Sequence, residues 1–231
     1  MSLKLDILVF AAHPDDAELA CSGTILKEIA LGKKVGICDL TQGELGTRGS
    51  AELRLIEAGN SAKILGLSAR ENLNLGDCFF EINKSNTLKL VEVIRKYKPE
   101  VVITNAKEDR HPDHGKGCEI AELACFWAGL KNIETNQESY RPEKVYQYIQ
   151  DRYLEPDFVI DVSDVWNTKI ESIKAFSSQF FDPNSKETDS YISSKEFWDF
   201  IDARGREMGH KIGVKYGEGF QSVNPLELNT L

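Results

Sequence analysis

LDILVFAAHPDD, residues 5–16, opens as a run that is apolar apart from Asp6 and ends in one histidine and two adjacent aspartates. A short continuous run of this kind suits a strand buried on both faces, as in a parallel sheet covered by helices. An ordinary turn after such a strand needs polar residues, but adjacent like charges repel each other. A divalent cation resolves that conflict. The stretch therefore predicts a buried strand that delivers ligands to a metal.

Outward from this run, strand and helix patterns alternate. TILKEIALG (24–32) reads as an amphipathic helix stopped at Gly32, and KVGICDLT (34–41) as a second strand. Residues 50–66 form a predicted helix with Ser50 as N-cap and Gly66 as its stop. Residues 86–99 form another, ended by Pro99 and followed directly by the β-branched run EVVITN (100–105). Residues 114–130 read as helix, and 144–150 and 157–163 as strands. From Trp166 to the closing NPLELNTL the pattern reads as helical with exposed connections. This order predicts right-handed βαβ units. The expected fold is α/β and Rossmann-like, a largely parallel sheet flanked by helices. It is expected as one domain over residues 1–231, with a helical C-terminal region from residue 166. Ligands of such sheets gather outside the carboxyl ends of the strands, which is where the metal site is expected.

Composition narrows the partners. Hydrophobic residues make up 41% of the chain, enough for an ordinary core. The net charge of −9 and the lack of a long basic run argue against a nucleic acid or an anionic membrane surface. No apolar stretch reaches the roughly 18 residues of a membrane span. The first apolar run is too short, and lacks the small-residue cleavage site, for a secretory signal. The five cysteines at positions 21, 38, 78, 118 and 125 are odd in number and form no CxxC. They predict reduced thiols in a cytoplasmic protein.

Three of the four histidines fall in two short segments that follow predicted strands. His13 lies in AHPDD, and His111 and His114 lie in EDRHPDH (108–114). A sheet brings both segments to one rim. Imidazole and carboxylate suit Zn²⁺, and three protein ligands leave a position for water, which is the catalytic pattern. His13 and Asp16 are spaced i, i+3, which a turn leading into a helix can aim at one point, and Pro14 stiffens that turn. The spacing does not decide whether Asp15 or Asp16 is the ligand. The carboxylate left over can take a proton from a bound water as general base. His111 can be aimed at the same space by the turn that carries His114. As an imidazolium it would stabilise an oxyanion or protonate a leaving amine, with Asp113 orienting it and favouring its charged form. Either motif alone is commonly a turn with polar caps. Two of them, each after a strand, outweigh that reading. His210 sits in a polar helical stretch and reads as a surface residue.

On AHPDDAE (12–18) and HPDH (111–114), the chain resembles the PIG-L/LmbE-like family of zinc-dependent N-acetylglucosaminyl deacetylases. TQGELGTRGSAELR (41–54), EDRHPDH, SSQFFDPNSKE (177–187) and IGVKYGEGF (212–220) resemble its bacillithiol-biosynthesis branch, which removes acetate from N-acetylglucosaminyl malate. The resemblance implies Zn²⁺, or Fe²⁺ in its place, held by His13, Asp16 and His114. It implies Asp15 as general base, His111 as the oxyanion-stabilising or acid histidine, Asp113 as its carboxylate partner, and Arg54 as a substrate-contacting arginine. Some relatives carry a carbonyl-polarising tyrosine two residues before the first histidine of HPDH. Asp109 stands there in this chain, so that role is vacant or filled from elsewhere. Family members form homo-oligomers, hexamers among them.

A malate group would add two carboxylates to the sugar. Arg48, Arg54 and Arg110, in or near the candidate loops, could grip them bidentately. Glycines 43, 46 and 49 do not form the dinucleotide-binding fingerprint and read as a flexible site loop. The rival readings are a deacetylase of another N-acetyl sugar or thiol conjugate, a two-metal phosphohydrolase, and a non-catalytic metal- or sugar-binding module.

Overall fold

All five residues of β1 (Ile7–Ala11) are buried, and their side chains divide between two cores. Leu8 and Phe10 enter one core with α3 (Lys84–Tyr97) and α4 (Pro112–Ala128). Ile7, Val9 and Ala11 enter the other with α1 (Asp16–Ala30). Helices cover both faces, which is why the run is apolar throughout instead of alternating. The computed structural model describes residues 3–181, 185–227 and 230.

The other strands are β2 (Val35–Asp39), β3 (Ala69–Asn72), β4 (Val101–Thr104), β5 (Lys144–Tyr148), β6 (Phe158–Asp161) and β7 (Gly217–Ser222). They form one seven-stranded sheet in the order β3-β2-β1-β4-β5-β7-β6. Strands β1 to β5 pair in parallel, and β7 runs antiparallel to both its neighbours. The chain moves outward from β1 to β3 and then returns to lay β4 on the other side of β1. The order reverses between β1 and β4, which opens a crevice outside their carboxyl ends. The remaining helices are α2 (Ala51–Leu65), α5 (Trp166–Lys174) and α6 (Lys195–Ile212). A third apolar cluster joins α5, α6 and Ala58 of α2. Among the described residues no helix is long and apolar enough to cross a membrane.

The α/β class and the mostly parallel sheet agree with expectation, as do the caps of α2. Ser50 accepts from Leu53 N–H at 3.2 Å, and Gly66 ends the helix at φ 74°. Two expectations are corrected, and one strand is added that the sequence reading left without an element. Helix α1 begins at Asp16, well before residue 24, because the intervening small residues are buried on several sides and show no amphipathic stripe. Strand β3, sequence AREN, carries no large apolar residue because it is an edge strand paired only with β2. The C-terminal region is not helical throughout. Strand β7, sequence GEGFQS, lies between β5 and β6, its glycines and polar residues hiding a strand whose Phe220 is buried. Residues 182–184 of SSQFFDPNSKE, and 228, 229 and 231 of NPLELNTL, lie outside the described residues.

Candidate active site

The loops after β1 and β4 meet at the crevice through Asn105. Its Oδ1 accepts from Ala12 N–H at 2.9 Å and its Nδ2 donates to Asp16 Oδ2 at 3.2 Å. Asp15 turns the chain into α1 at φ 118°, ψ −23°. A non-glycine residue holds such a conformation only where its surroundings enforce it, commonly at a functional site. The turn separates the two aspartates, so that they meet different partners.

The three expected ligands come together. Asp16 Oδ2 lies 3.5 Å from His13 Nδ1, and Asp16 Oδ1 lies 3.1 Å from His114 Nε2. The outer nitrogens of both rings are already engaged. His13 Nε2 donates to Asp77 Oδ1 at 3.0 Å, and His114 Nδ1 donates to Asp109 Oδ2 at 2.7 Å. An ionised carboxylate only accepts, so the network assigns the protons to those outer nitrogens. The inner nitrogens then turn lone pairs toward the Asp16 oxygens, an arrangement that repels unless a proton or a cation stands between them. Donors of a tetrahedral ion with bonds of about 2.0–2.1 Å stand roughly 3.3 Å apart, close to each of these two separations, which run to different oxygens of Asp16. The surroundings show the same shortage of positive charge. Burial works to lower His114, yet Asp16 and Asp109 hold it at about 9. Burial also opposes the charged form of His13, and Asp113, Asp16 and Asp77 together still keep it well above its ordinary value.

His111 is the N-cap of α4. Its Nδ1 accepts from Asp113 N–H at 3.2 Å, which leaves Nε2 to carry the proton. Its ring centre lies 4.6 Å from that of His13 and 5.4 Å from that of His114. Burial and the two neighbouring imidazoles hold it below its ordinary value. With Nδ1 accepting, Nε2–H is the donor that it presents to the cavity. The Asp113 carboxylate does not orient it, contrary to expectation. Asp113 sits in the first turn of α4 and reaches Lys116 Nζ at 3.1 Å and Cys78 N–H at 2.8 Å, and it faces His13 Nε2 at 3.5 Å.

Among the described residues, two groups of side chains bring donor atoms within 4.8 Å of one another: His13, His111 and His114, and His13, Asp77 and Asp113. The second group is poorly suited to a further cation. Lys116 already neutralises Asp113, and the protonated Nε2 of His13 offers no lone pair. That leaves this group without free donors for a second ion, which disfavours a two-metal clamp.

Asp15 stands apart from the cluster. It is buried and accepts from Arg54 Nη2 at 2.8 Å. Burial pushes its carboxyl up to about 7, against the pull of Arg54. Arg54 Nη2 also donates to Gln179 Oε1 at 2.7 Å. Gly43, at φ +64°, leaves room for this guanidinium, since a Cβ there would lie 1.9 Å from Arg54 Nη1. Of the three arginines expected on substrate, Arg54 is thus engaged with Asp15. Arg48 is buried against Ser185 and Glu187. Arg110 stays exposed at the rim, 3.2 Å from Asp151 and over the Tyr191 ring at 4.4 Å. The cavity above the histidines measures about 310 Å³, and Leu45, Gly46, Gln150 and Tyr191 complete its walls. That is the lower end of small-molecule sites.

Sequence reasoning missed Asp77, Asn105, Gln150 and Gln179, and left Asp109 without a role. Gln150 donates to Asp16 Oδ1 at 2.8 Å. Asp109 carried a readable signal, a carboxylate beside a ligand histidine. The others stand next to no histidine in sequence.

Residues 8–125 match the PIG-L family model, described as GlcNAc-PI de-N-acetylase. The chain belongs to the PIG-L family. PIG-L relatives span nearly its full length. The diacetylchitobiose deacetylase of Thermococcus kodakarensis is 28% identical over 230 residues, 94% of this chain and 82% of that protein. The crystal structure of the conserved protein TT1542 from Thermus thermophilus is 33% identical, with a TM-score of 0.88 over 97% of both chains. Similarity also extends to a 4-oxalmesaconate hydratase of Pseudomonas putida, 25% identical over 247 residues, 94% of this chain and 89% of that protein.

Proposed function

We propose that this PIG-L protein is a metal-dependent hydrolase that removes the N-acetyl group from an N-acetylglucosaminyl conjugate, with N-acetylglucosaminyl malate as its substrate. One observation carries the reading. An inward nitrogen of each of two imidazoles meets the Asp16 carboxylate on a cavity floor, beside a second carboxylate, Asp15, whose proton affinity lies near neutrality. Zn²⁺, or Fe²⁺ in its place, held by His13, Asp16 and His114 would polarise the amide carbonyl and acidify a water.

The rest of the chemistry belongs to the chain. Asp15 accepts the proton of the attacking water, with Arg54 holding its carboxylate in place. His111 Nε2–H donates to the developing oxyanion. Asp15 then returns its proton to the departing nitrogen, releasing acetate and the glucosaminyl amine. Asp113 and Asp109 act behind His13 and His114. Arg110 at the rim is the cation we assign to the malate carboxylates, with Arg48 fixing the wall beside it. Two further assignments accompany this reading. Free thiols at all five cysteines suit the cytoplasm. Exposed Leu53, Ile56 and Ile64 on α2 suit a homo-oligomer.

The test is acetate release from N-acetylglucosaminyl malate and from diacetylchitobiose, with and without chelator. Chelator-sensitive release with the higher kcat/KM on the malate conjugate is the expected result. Preference for diacetylchitobiose would reassign the substrate, and no release from any N-acetyl sugar refutes the hydrolase. The Pseudomonas relative motivates a second reading, addition of water to an unsaturated acid. Incubation with 4-oxalmesaconate, followed by absorbance, reports on it.

A further inference from the structure

Asp77 belongs to neither histidine motif and lies in no helix or strand, yet it is buried beside the candidate ligands. Its Oδ1 accepts from His13 Nε2 at 3.0 Å, and its Oδ2 accepts from Leu45 N–H at 3.0 Å. Its own N–H donates to Glu44 Oε1 at 2.8 Å. One carboxylate thus grips a candidate metal ligand with one oxygen and the glycine-rich loop at residues 43–49 with the other. Leu45, Gly46, Thr47 and Arg48 of that loop form a wall of the catalytic cavity. We infer that Asp77 is a positioning residue that couples metal binding at His13 to the placement of this loop over the substrate. The inference rests on the metal-dependent reading above.

The coupling follows from hydrogen-bond capacity. With Nε2–H tied to Asp77, the His13 ring cannot rotate its Nδ1 away from Asp16. A carboxylate behind a ligand imidazole fixes the ring and raises its basicity toward a metal. Asp113 Oδ2 faces the same nitrogen at the longer distance of 3.5 Å, so Asp77 holds the closer contact. Both oxygens of Asp77 are needed. An asparagine has a single acceptor oxygen, so Asp77→Asn can satisfy His13 or Leu45 but not both. The linkage is reciprocal. A metal that immobilises His13 also immobilises the acceptor on which Leu45 docks.

The experiment is a Zn²⁺ titration against a chromophoric chelator, paired with amide hydrogen exchange, on the full chain and on Asp77→Asn. In the unaltered protein, Zn²⁺ should slow exchange at Leu45 relative to the metal-stripped form. In Asp77→Asn, Zn²⁺ affinity should fall about 10–100-fold and the slowing at Leu45 should be lost. Affinity within about threefold of the original overturns the inference. So does weakened binding with Leu45 protection intact, which would reduce Asp77 to a local support for His13. If Asp77→Asn fails to fold, the unaltered protein decides alone: Leu45 exchange indifferent to Zn²⁺ refutes the coupling. None of these readouts requires substrate. Metal–loop coupling without acetate release from any sugar would therefore keep this inference and remove the proposed function.

Discussion

Replacing Glu218 by glutamine should destabilise the fold by about 3–5 kcal/mol, although the residue lies on β7, away from the histidines. Its carboxylate accepts from Gly23 N–H at 2.9 Å, from Thr24 N–H at 2.7 Å, from Thr24 Oγ1 at 2.6 Å and from Lys169 Nζ at 2.7 Å. Side-chain exposure is 2% for Lys169 and 3% for Glu218. Lys169 also donates to the Leu19 carbonyl at 2.8 Å, the acceptor that a regular helix reserves for Gly23 N–H. The ion pair is therefore set into the backbone ladder of α1, the helix that carries Asp16 at its first position. Glutamine preserves the volume but leaves a buried ammonium without its counter-charge. Its NH₂ also turns a donor toward donors, and a buried donor without an acceptor is costly.

Urea unfolding followed by circular dichroism measures the effect. With a slope of roughly 3 kcal/mol per molar for a chain of this size, the midpoint should fall by about 1–1.7 M. The Tm should drop by about 6–20 °C. Adding Lys169→Met should recover part of the loss, with a coupling of about 1 kcal/mol or more in the double-mutant cycle. A Glu218→Gln loss below about 1 kcal/mol would refute the reasoning, because it would mean that the pair is solvated or dispensable.

Asp15→Ala should lower kcat by about 10²–10⁴-fold while zinc content, measured by elemental analysis, stays at the original stoichiometry. Loss of the metal in that variant would make Asp15 a ligand. Asp109→Ala removes the 2.7 Å bond behind His114 and should weaken Zn²⁺ binding by about 10–100-fold in chelator competition. Gly43→Ala places a Cβ where Arg54 Nη1 now lies and strains a left-handed backbone. It should cost about 1–2 kcal/mol in urea unfolding and depress kcat well beyond that loss, whereas normal turnover would show that Arg54 does not need this seat.

Much of this molecule is legible in one dimension. The apolar run before His13 and the run EVVITN are each continuous because both strand faces meet helices, and that burial is written directly into residue type. Parallel pairing of β1 with β4 then forces the residues beyond each strand onto one rim, which is why histidines far apart in sequence can be joined from residue pattern alone. Strands β3 and β7 escape such a reading because an edge strand and a glycine-rich strand gain their place from neighbours instead of from their own apolar pattern. Only the tertiary structure decided which nitrogen of each imidazole faces inward, that the Asp113 carboxylate faces His13 instead of His111, and that Arg54 pairs with Asp15. Those outcomes depend on which donor lies within about 3 Å of which acceptor, a property of packed loops with no period in sequence. Residue type sets what each group can accept or donate, and the fold alone sets which partner it meets.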